Sequence, residues 1–284
     1  MAHVNAPLPT RMASILADFS PASTASAVEA NLCSLFDFLK AWPRIELHDD
    51  GACCWTLSHL PFPLFNSVVR ARLAPDAADA VIDERIRACS DRNVPMLWWT
   101  GPSTAPSDLG NRLEQRGFML EPALGMVGDI EYISAQPSQA IIDIEPVRDA
   151  ATLATWSRVL CNAFGAPHTF GDVFADLAGA VGLEPSSPLR HFLGRVNGEP
   201  VATCSVFLGA GVAGIYDVGT LPERRRRGIG AAITRAAIAD AAASGYRMAI
   251  LHSSTIGAAM YRALGFNDVC AIGQYVWAPE QFRR

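Results

Sequence analysis

No apolar run among these 284 residues approaches the ~20 needed to span a bilayer. The N-terminus lacks a basic region followed by an apolar one, so no secretory leader is expected either. Positive charge is scarce. With 23 Lys and Arg against 28 Asp and Glu, the formal net charge is −5, which argues against a general nucleic-acid binder. The seven cysteines (33, 53, 54, 89, 161, 204 and 270) are odd in number and include no Cys-x-x-Cys pair. They read as small buried hydrophobes in a reducing cytosol, with no metal or redox site among them. Two familiar phosphate loops are also incomplete. A dinucleotide fingerprint lacks its third glycine, and the next strand ends in His252 rather than an acid. A P-loop would need Gly-Lys-Ser/Thr, which is absent.

Half of the residues are apolar, enough to bury a substantial core, and the length suits two domains. The stretch that organises the chain is Ile215 to Gly230. A β-branched and aromatic run leads to Pro222, and four arginines (224–227) precede Gly228-Ile229-Gly230. An alanine-rich helical pattern follows at once. A strand, a glycine loop and a helix start together make an anion cradle, because unpaired N–H groups and the positive dipole end point the same way. Glycines at 228 and 230 let an anion approach the backbone. An arginine run alone also fits a solvated face or a nucleic-acid patch, but no second basic cluster supports the latter.

Arg225-Arg226-Arg227-Gly228-Ile229-Gly230 resembles motif A of the GNAT acyltransferase superfamily, Gln/Arg-x-x-Gly-x-Gly/Ala. About thirty residues on, Tyr261-Arg262-Ala263-Leu264-Gly265-Phe266 is similar to that superfamily's second signature, a tyrosine followed by Leu-Gly-Phe. The resemblance implies an α/β fold with a mixed sheet and acetyl-CoA as cosubstrate, without a metal. It puts backbone groups of Val218 and Thr220 on the pantetheine arm. It puts the pyrophosphate on N–H groups of Arg226, Arg227, Gly228, Ile229 and Gly230, with Ala231 at the edge. Side chains of Arg225, Arg226 or Arg227 then reach phosphate, including the 3′-phosphate. Tyr261 becomes the acid that protonates the departing thiolate. Where the family often has an asparagine, this chain has Ser254, whose hydroxyl is a candidate substitute.

Along the chain, residues 1–24 read as an arm, 25–133 as a first domain, 134–140 as a Pro-containing linker and 141–284 as a second domain. Helices are predicted from Ala25 to Trp42, from Asp76 to about Asp91, after Ser107 as a cap, from Arg148 to Phe164, from Phe170 to Val181, from Gly228 to Ser244 and from Ile256 to Leu264. Strands alternate with them, including a hairpin about Asn197-Gly198. The order of elements repeats between the halves, and Leu113 to Phe118 echoes Tyr261 to Phe266. A tandem GNAT arrangement is therefore expected, with a first copy that lacks Gly-x-Gly, holds no nucleotide and walls the acceptor pocket.

An alkylammonium must lose a proton before attacking a thioester. Candidate bases are Asp217, Tyr216 through a water, and His252. Trp98-Trp99 and Leu64-Phe65-Asn66 border the acceptor side or pack in the core. The expected activity is N-acetyl transfer to a primary amine of a small molecule or peptide, by direct attack. The rival from another class is an acyl-CoA sensor without turnover. A cytoplasmic protein is expected, with no nucleic-acid or membrane partner, and oligomers are compatible with this reading.

Overall fold

The computed structural model describes residues 14–137 and 140–282. The first half runs α1 (Pro21–Leu39), β1 (Ile45–Asp49), β2 (Cys53–Ser58), β3 (Ser67–Ala71), α2 (Ala78–Asp91), β4 (Met96–Thr100), α3 (Leu109–Glu114), β5 (Met119–Asp129) and α4 (Ile130–Ser134). The second runs β6 (Asp143–Pro146), α5 (Ala150–Phe164), α6 (Thr169–Val181), β7 (Leu189–Val196), β8 (Glu199–Gly209), β9 (Val212–Thr220), α7 (Ile229–Ala243), β10 (Met248–Ser254), α8 (Ala258–Leu264) and β11 (Phe266–Trp277). None of the helices among the described residues is long and apolar enough to cross a membrane.

Local chemistry sets most boundaries. Asp149 caps α5, one carboxylate oxygen accepting from Ala151 N (3.0 Å) and Thr152 N (2.9 Å). Asn197 (φ 53) and Gly198 (φ 80) take left-handed conformations and close the β7–β8 hairpin as the sequence predicts. Three expectations need correction. Pro21 opens α1 in its first turn, where a missing N–H loses no bond, so the helix begins inside the stretch read as an arm. Residues 1–13 of that arm lie outside the described residues, as do 138 and 139 of the linker. The cap position of α3 is Asp108 rather than Ser107, and its carboxylate accepts from Arg112 Nε at 3.0 Å instead of capping the backbone. Strand β1 was not foreseen, because on this edge strand only Ile45 is buried and the polar side chains mask its alternation.

All the strands join one sheet in the order β1-β2-β3-β4-β11-β5-β10-β9-β8-β7-β6. The halves interleave. Strand β5 of the first half lies between β10 and β11 of the second, while β11 lies between β4 and β5 of the first. The twelve-residue β11 manages both partners with a bulge between Asp268 and Cys270. It runs along β5 for its whole length, and its last residues, Gly273 to Trp277, also pair with β4. One face of the sheet carries α7 with its small inner stripe of Ala237 and Ala241, so the helix lies close on β8 and β9. On the opposite face Leu32, Phe36 and Leu39 of α1 pack with Val173 and Leu177 of α6.

Helix α1 belongs to the first half yet fastens the second. Asn31 is fully buried and donates from Nδ2 to Gly209 O at 2.8 Å, with Phe207 O and Val212 O at 3.4 and 3.3 Å. Its Oδ1 accepts the Tyr216 hydroxyl at 2.7 Å. The strand below makes room, since a Cβ at Gly214 would overlap Asn31 Oδ1. Asn31→Ala is expected to lower the unfolding free energy by about 1–3 kcal/mol, because it strands buried polar groups. Urea denaturation checks this against exposed Arg158→Ala, expected to stay within about 0.5 kcal/mol of the parent.

Candidate active site

Strands β9 and β10 run parallel and share a ladder only from Ala213–Ala249 to Ile215–Leu251. Past that point they part. Strand β10 continues beside β5, with His252 opposite Gly125 and Ser254 opposite Ala123. Strand β9 stays with β8 but slips, Thr203 facing Gly219 while Ser205 faces Tyr216, so β9 carries one extra residue there. Asp217 sits in this bulge at φ 54, a left-handed conformation uncommon for a side chain with a Cβ. Thr203 Oγ1 donates to Asp217 O at 2.8 Å and holds it in place. Leu221 N donates to Val201 O at 3.0 Å. By alternation, the backbone groups of Val218 and Thr220 face the other edge, into the opening.

The opening leads to the start of α7. The chain turns through Arg226 (φ 62) and Gly228 (φ 75), and α7 has no side-chain cap. No described residue accepts a hydrogen bond from the N–H groups of Arg226, Arg227, Gly228, Ile229, Gly230 or Ala231. A Cβ at Gly230 would come within 3.1 Å of Met260 Sδ, so that side chain would have to give by a few tenths of an ångström. These residues present unpaired N–H groups at a helix N-terminus, the kind of backbone arrangement that can hold a phosphate group. Among the described residues no group of three or more His, Cys, Asp or Glu is placed to hold a metal ion.

The arginines divide. Arg224 pairs with Glu199. Arg225, expected on phosphate, braces the loop instead, donating from Nε to Thr220 O (3.1 Å) and from Nη2 to Ala163 O (2.7 Å). Arg226 and Arg227 are exposed, and their side chains have no hydrogen-bond partner among the described residues. Two of the three candidate arginines are thus free to meet an anion.

Tyr261 lies on α8, buried in the core under the sheet, with Phe266 edge-on at 5.8 Å between ring centroids. Its hydroxyl has no hydrogen-bond partner among the described residues. Burial raises its pKa above the ordinary 10.0, with the nearby Cys204 adding to the effect, so the phenol stays protonated at neutral pH. Ser254 is exposed at the end of β10, and its Oγ accepts from Gly257 N at 3.2 Å, fixing the turn into α8.

On the face crossed by α1 stand the three candidate bases. The Tyr216 hydroxyl is engaged by Asn31. Asp217 is half-buried; burial raises its carboxyl pKa, partly offset by the Ser205 hydroxyl. Ser205 Oγ in turn lies 2.7 Å from buried His191 Nδ1. His252 lies across the opening, its ring 6.3 Å from Tyr216 and 5.3 Å from Trp99. Burial lowers its pKa to about 4, so it is neutral. Trp98 points to the other face and packs with Phe118. Phe65 is core, and Asn66 is a clasp, accepting from Ser58 N at 2.8 Å and donating to Pro95 O at 3.0 Å. Of the residues around the site, the sequence singles out Trp99 with Trp98, whereas Asn31, Ser205 and His191 carry no local sequence signal, since each meets the site only through tertiary contacts.

The matching place in the first half is closed. Strands β3 and β4 are parallel and pair at Ser67–Leu97 and Val68–Trp98. Beyond them the chain fills its own gap, with Ala105 N on Ala71 O (3.0 Å) and Leu73 N on Ala105 O (2.9 Å). The backbone edge exposed on β9 is occupied here.

Residues 154–266 match the model of the acetyltransferase (GNAT) family. No curated protein matches the chain. Among solved structures, a GCN5-related N-acetyltransferase from Kribbella flavida superposes with a TM-score of 0.67 at 16% identity, over 90% of this chain and 97% of that one. A GCN5-related N-acetyltransferase from Sphaerobacter thermophilus gives 0.57 at 16% identity, over 91% and 93%. A tandem GNAT protein from the clavulanic acid biosynthesis pathway gives 0.55 at 12% identity, over 93% and 97%. At such identities the likeness is one of fold.

His191 is buried beneath Trp156, whose ring centroid lies 4.5 Å away, and burial lowers its pKa from 6.5 to about 4. The unfolded chain therefore takes up a proton near pH 6.5 that the folded chain refuses. Stability from this group is full above pH 6.5 and is lost as pH falls towards 4, by at most about 1.4 kcal/mol per pH unit. Urea midpoints measured from pH 7.5 down to 5 are expected to fall, and less steeply in His191→Gln.

Proposed function

Taking as premise a GNAT acetyltransferase domain over residues 154–266, in a fold shared with tandem GNAT proteins, we propose that this chain transfers an acetyl group from acetyl-CoA to a primary amine. The family and fold are those of acyl-CoA-dependent acetyltransferases. In this reading residues 141–284 are the catalytic unit and 25–133 a degenerate copy whose α1 walls the acceptor side. The observation that carries the proposal is the parting of β9 from β10 directly above an uncapped, glycine-turned helix start. A thioester laid there supplies an activated acyl group with a thiolate leaving group.

Backbone groups of Val218 and Thr220 would pair with the pantetheine arm, as a strand edge pairs with an added strand. N–H groups from Arg226 to Gly230, with Ala231 at the edge, would hold the diphosphate, and Arg226 and Arg227 would add charge-assisted contacts. Ser254 borders the same opening. Tyr261, kept neutral by burial, is the proton donor to the leaving sulfur. Asp217 is the base favoured by its surroundings: a carboxyl whose pKa is raised by burial accepts a proton from an ammonium more readily than an ordinary one. Attack is direct, within a ternary complex, and the cysteines take no part. A cytoplasmic setting follows from the same reading, and the acceptor is a small molecule or peptide.

A coenzyme A thiol-release assay with a panel of primary amines tests this. Thiol release that depends on an amine is expected. Acetyl-CoA binding without thiol release on any amine would instead identify a sensor. Tyr261→Phe is expected to lower kcat about 10²-fold while leaving acetyl-CoA affinity unchanged. Gly228→Val, which forces a β-branched residue to φ 75, is expected to weaken acetyl-CoA binding at least ~10-fold by calorimetry.

A further inference from the structure

Two polar side chains lie buried within β7 and β8 and take no part in the chemistry assigned above. His191 and Ser205 face each other across the β7–β8 ladder, and Ser205 faces Tyr216 across the next. The residue after Tyr216 is Asp217, set in the bulge. One row thus crosses three strands and ends at the candidate base. Ser205 Oγ lies 2.7 Å from His191 Nδ1, and the Asp217 carboxyl takes a hydrogen bond from the Ser205 side chain. Trp156 of α5 packs on the His191 ring and closes the inner end of the row. Apolar side chains are easier to bury here than a histidine and a serine.

Each proton in this row has a definite place. A carboxylate only accepts, so the Ser205 hydroxyl donates its one proton to Asp217. Ser205 Oγ then accepts from His191, whose ring proton sits on Nδ1. The ring has one proton to give, because burial keeps it neutral. A serine hydroxyl can rotate between partners, and a donor at its back fixes it on the carboxylate. Burial disfavours the ionised Asp217 carboxyl, and the Ser205 hydroxyl is the influence that opposes it. The titratable neighbours are the Tyr216 phenol on the same strand and the Cys204 thiol on β8, both kept neutral by burial. Among the described residues no charged group of α1 or α5, the helices packed on this face, acts on it.

We propose that Ser205 and His191 are positioning residues for acetyl transfer. The chain from His191 Nδ1–H through Ser205 Oγ–H holds one oxygen of Asp217 and leaves the other to meet the acceptor ammonium. The ammonium proton moves to that free oxygen, and the nitrogen keeps the electron pair with which it attacks the thioester. Ser205 and His191 keep their own protons throughout and touch no substrate. Their part is to present Asp217 ionised and in one orientation. The role rests on the reading of Asp217 as the base, but the row itself can be measured without turnover.

Three measurements on the full chain test it. Ring ¹⁵N resonances of His191, assigned with His191→Gln, show which nitrogen carries the proton. Nδ1 is expected, and a proton on Nε2 would overturn the proposal. The carboxyl ¹³C titration of Asp217, assigned with Asp217→Asn, is expected to move up by about one to two pH units in Ser205→Ala. Ser205→Thr, which keeps a hydroxyl, should bring the midpoint back towards the parent's. A midpoint that does not move in Ser205→Ala overturns the proposal as well. In thiol release with acetyl-CoA and an amine, the acid limb of kcat/KM should move with this titration while KM for acetyl-CoA stays constant. A limb that stays in place while the carboxyl midpoint moves would make another group the base and remove the positioning role. If no amine is turned over, the acetyltransfer reading fails. An Nδ1 proton with a shifted carboxyl midpoint then still upholds the chain onto Asp217, and the lack of either removes it.

Discussion

Past Ile215 and Leu251, β9 and β10 share no hydrogen bonds, and the candidate site exists because of it. Two local facts separate them. An extra residue at Asp217 bends β9 along β8, as bulges do by raising local twist. Meanwhile β10 is held straight by its ladder with β5. Neither strand can close the gap without giving up bonds it already has. The backbone edge of Val218 and Thr220 is left facing it, with no strand to pair with and only the Thr220 carbonyl engaged, by Arg225 Nε, whereas buried polar backbone in a sheet is otherwise almost always paired.

The bulge is expensive to hold, and its surroundings show how it is held. Asp217 occupies a left-handed conformation, which costs a non-glycine residue roughly 1–2 kcal/mol. Thr203 ties down its carbonyl, Arg225 braces Thr220 against α5, and Asn31 anchors Tyr216 one residue earlier. Strain at a position over-determined by its neighbours is the usual condition of a functional site. Here one brace comes from the arginine run itself, so the four arginines serve two purposes: Arg224 and Arg225 hold the loop while Arg226 and Arg227 face outward.

The two halves do unequal work on a shared scaffold. In the first, Ala105 fills the gap between β3 and β4, so no free backbone edge remains between those two strands. That half contributes instead β5, which keeps β10 away from β9, and α1, which covers the opposite face. Strand β11 returns the exchange by pairing with β4 and β5. Such interleaving removes two exposed sheet edges that would otherwise face each other at a domain boundary.

What the sequence alone determined is what short range decides. The glycine turn and helix start at Gly228, the Asp149 cap and the Asn197-Gly198 hairpin all follow from residues within a few positions of one another. The paired signatures around Gly228 and Tyr261 likewise pointed to the fold. Tertiary structure alone decided the rest. Nothing local tells that β5 and β11 exchange places, because pairing partners far apart in the chain leave no periodicity in either. The same holds for Asn31 on Tyr216, 185 residues away, and for Trp99 beside His252. Arg225 is the sharpest case. Its motif position suggested phosphate, but a guanidinium goes where the nearest unpaired carbonyls are, and only packing brought the Ala163 carbonyl within its reach.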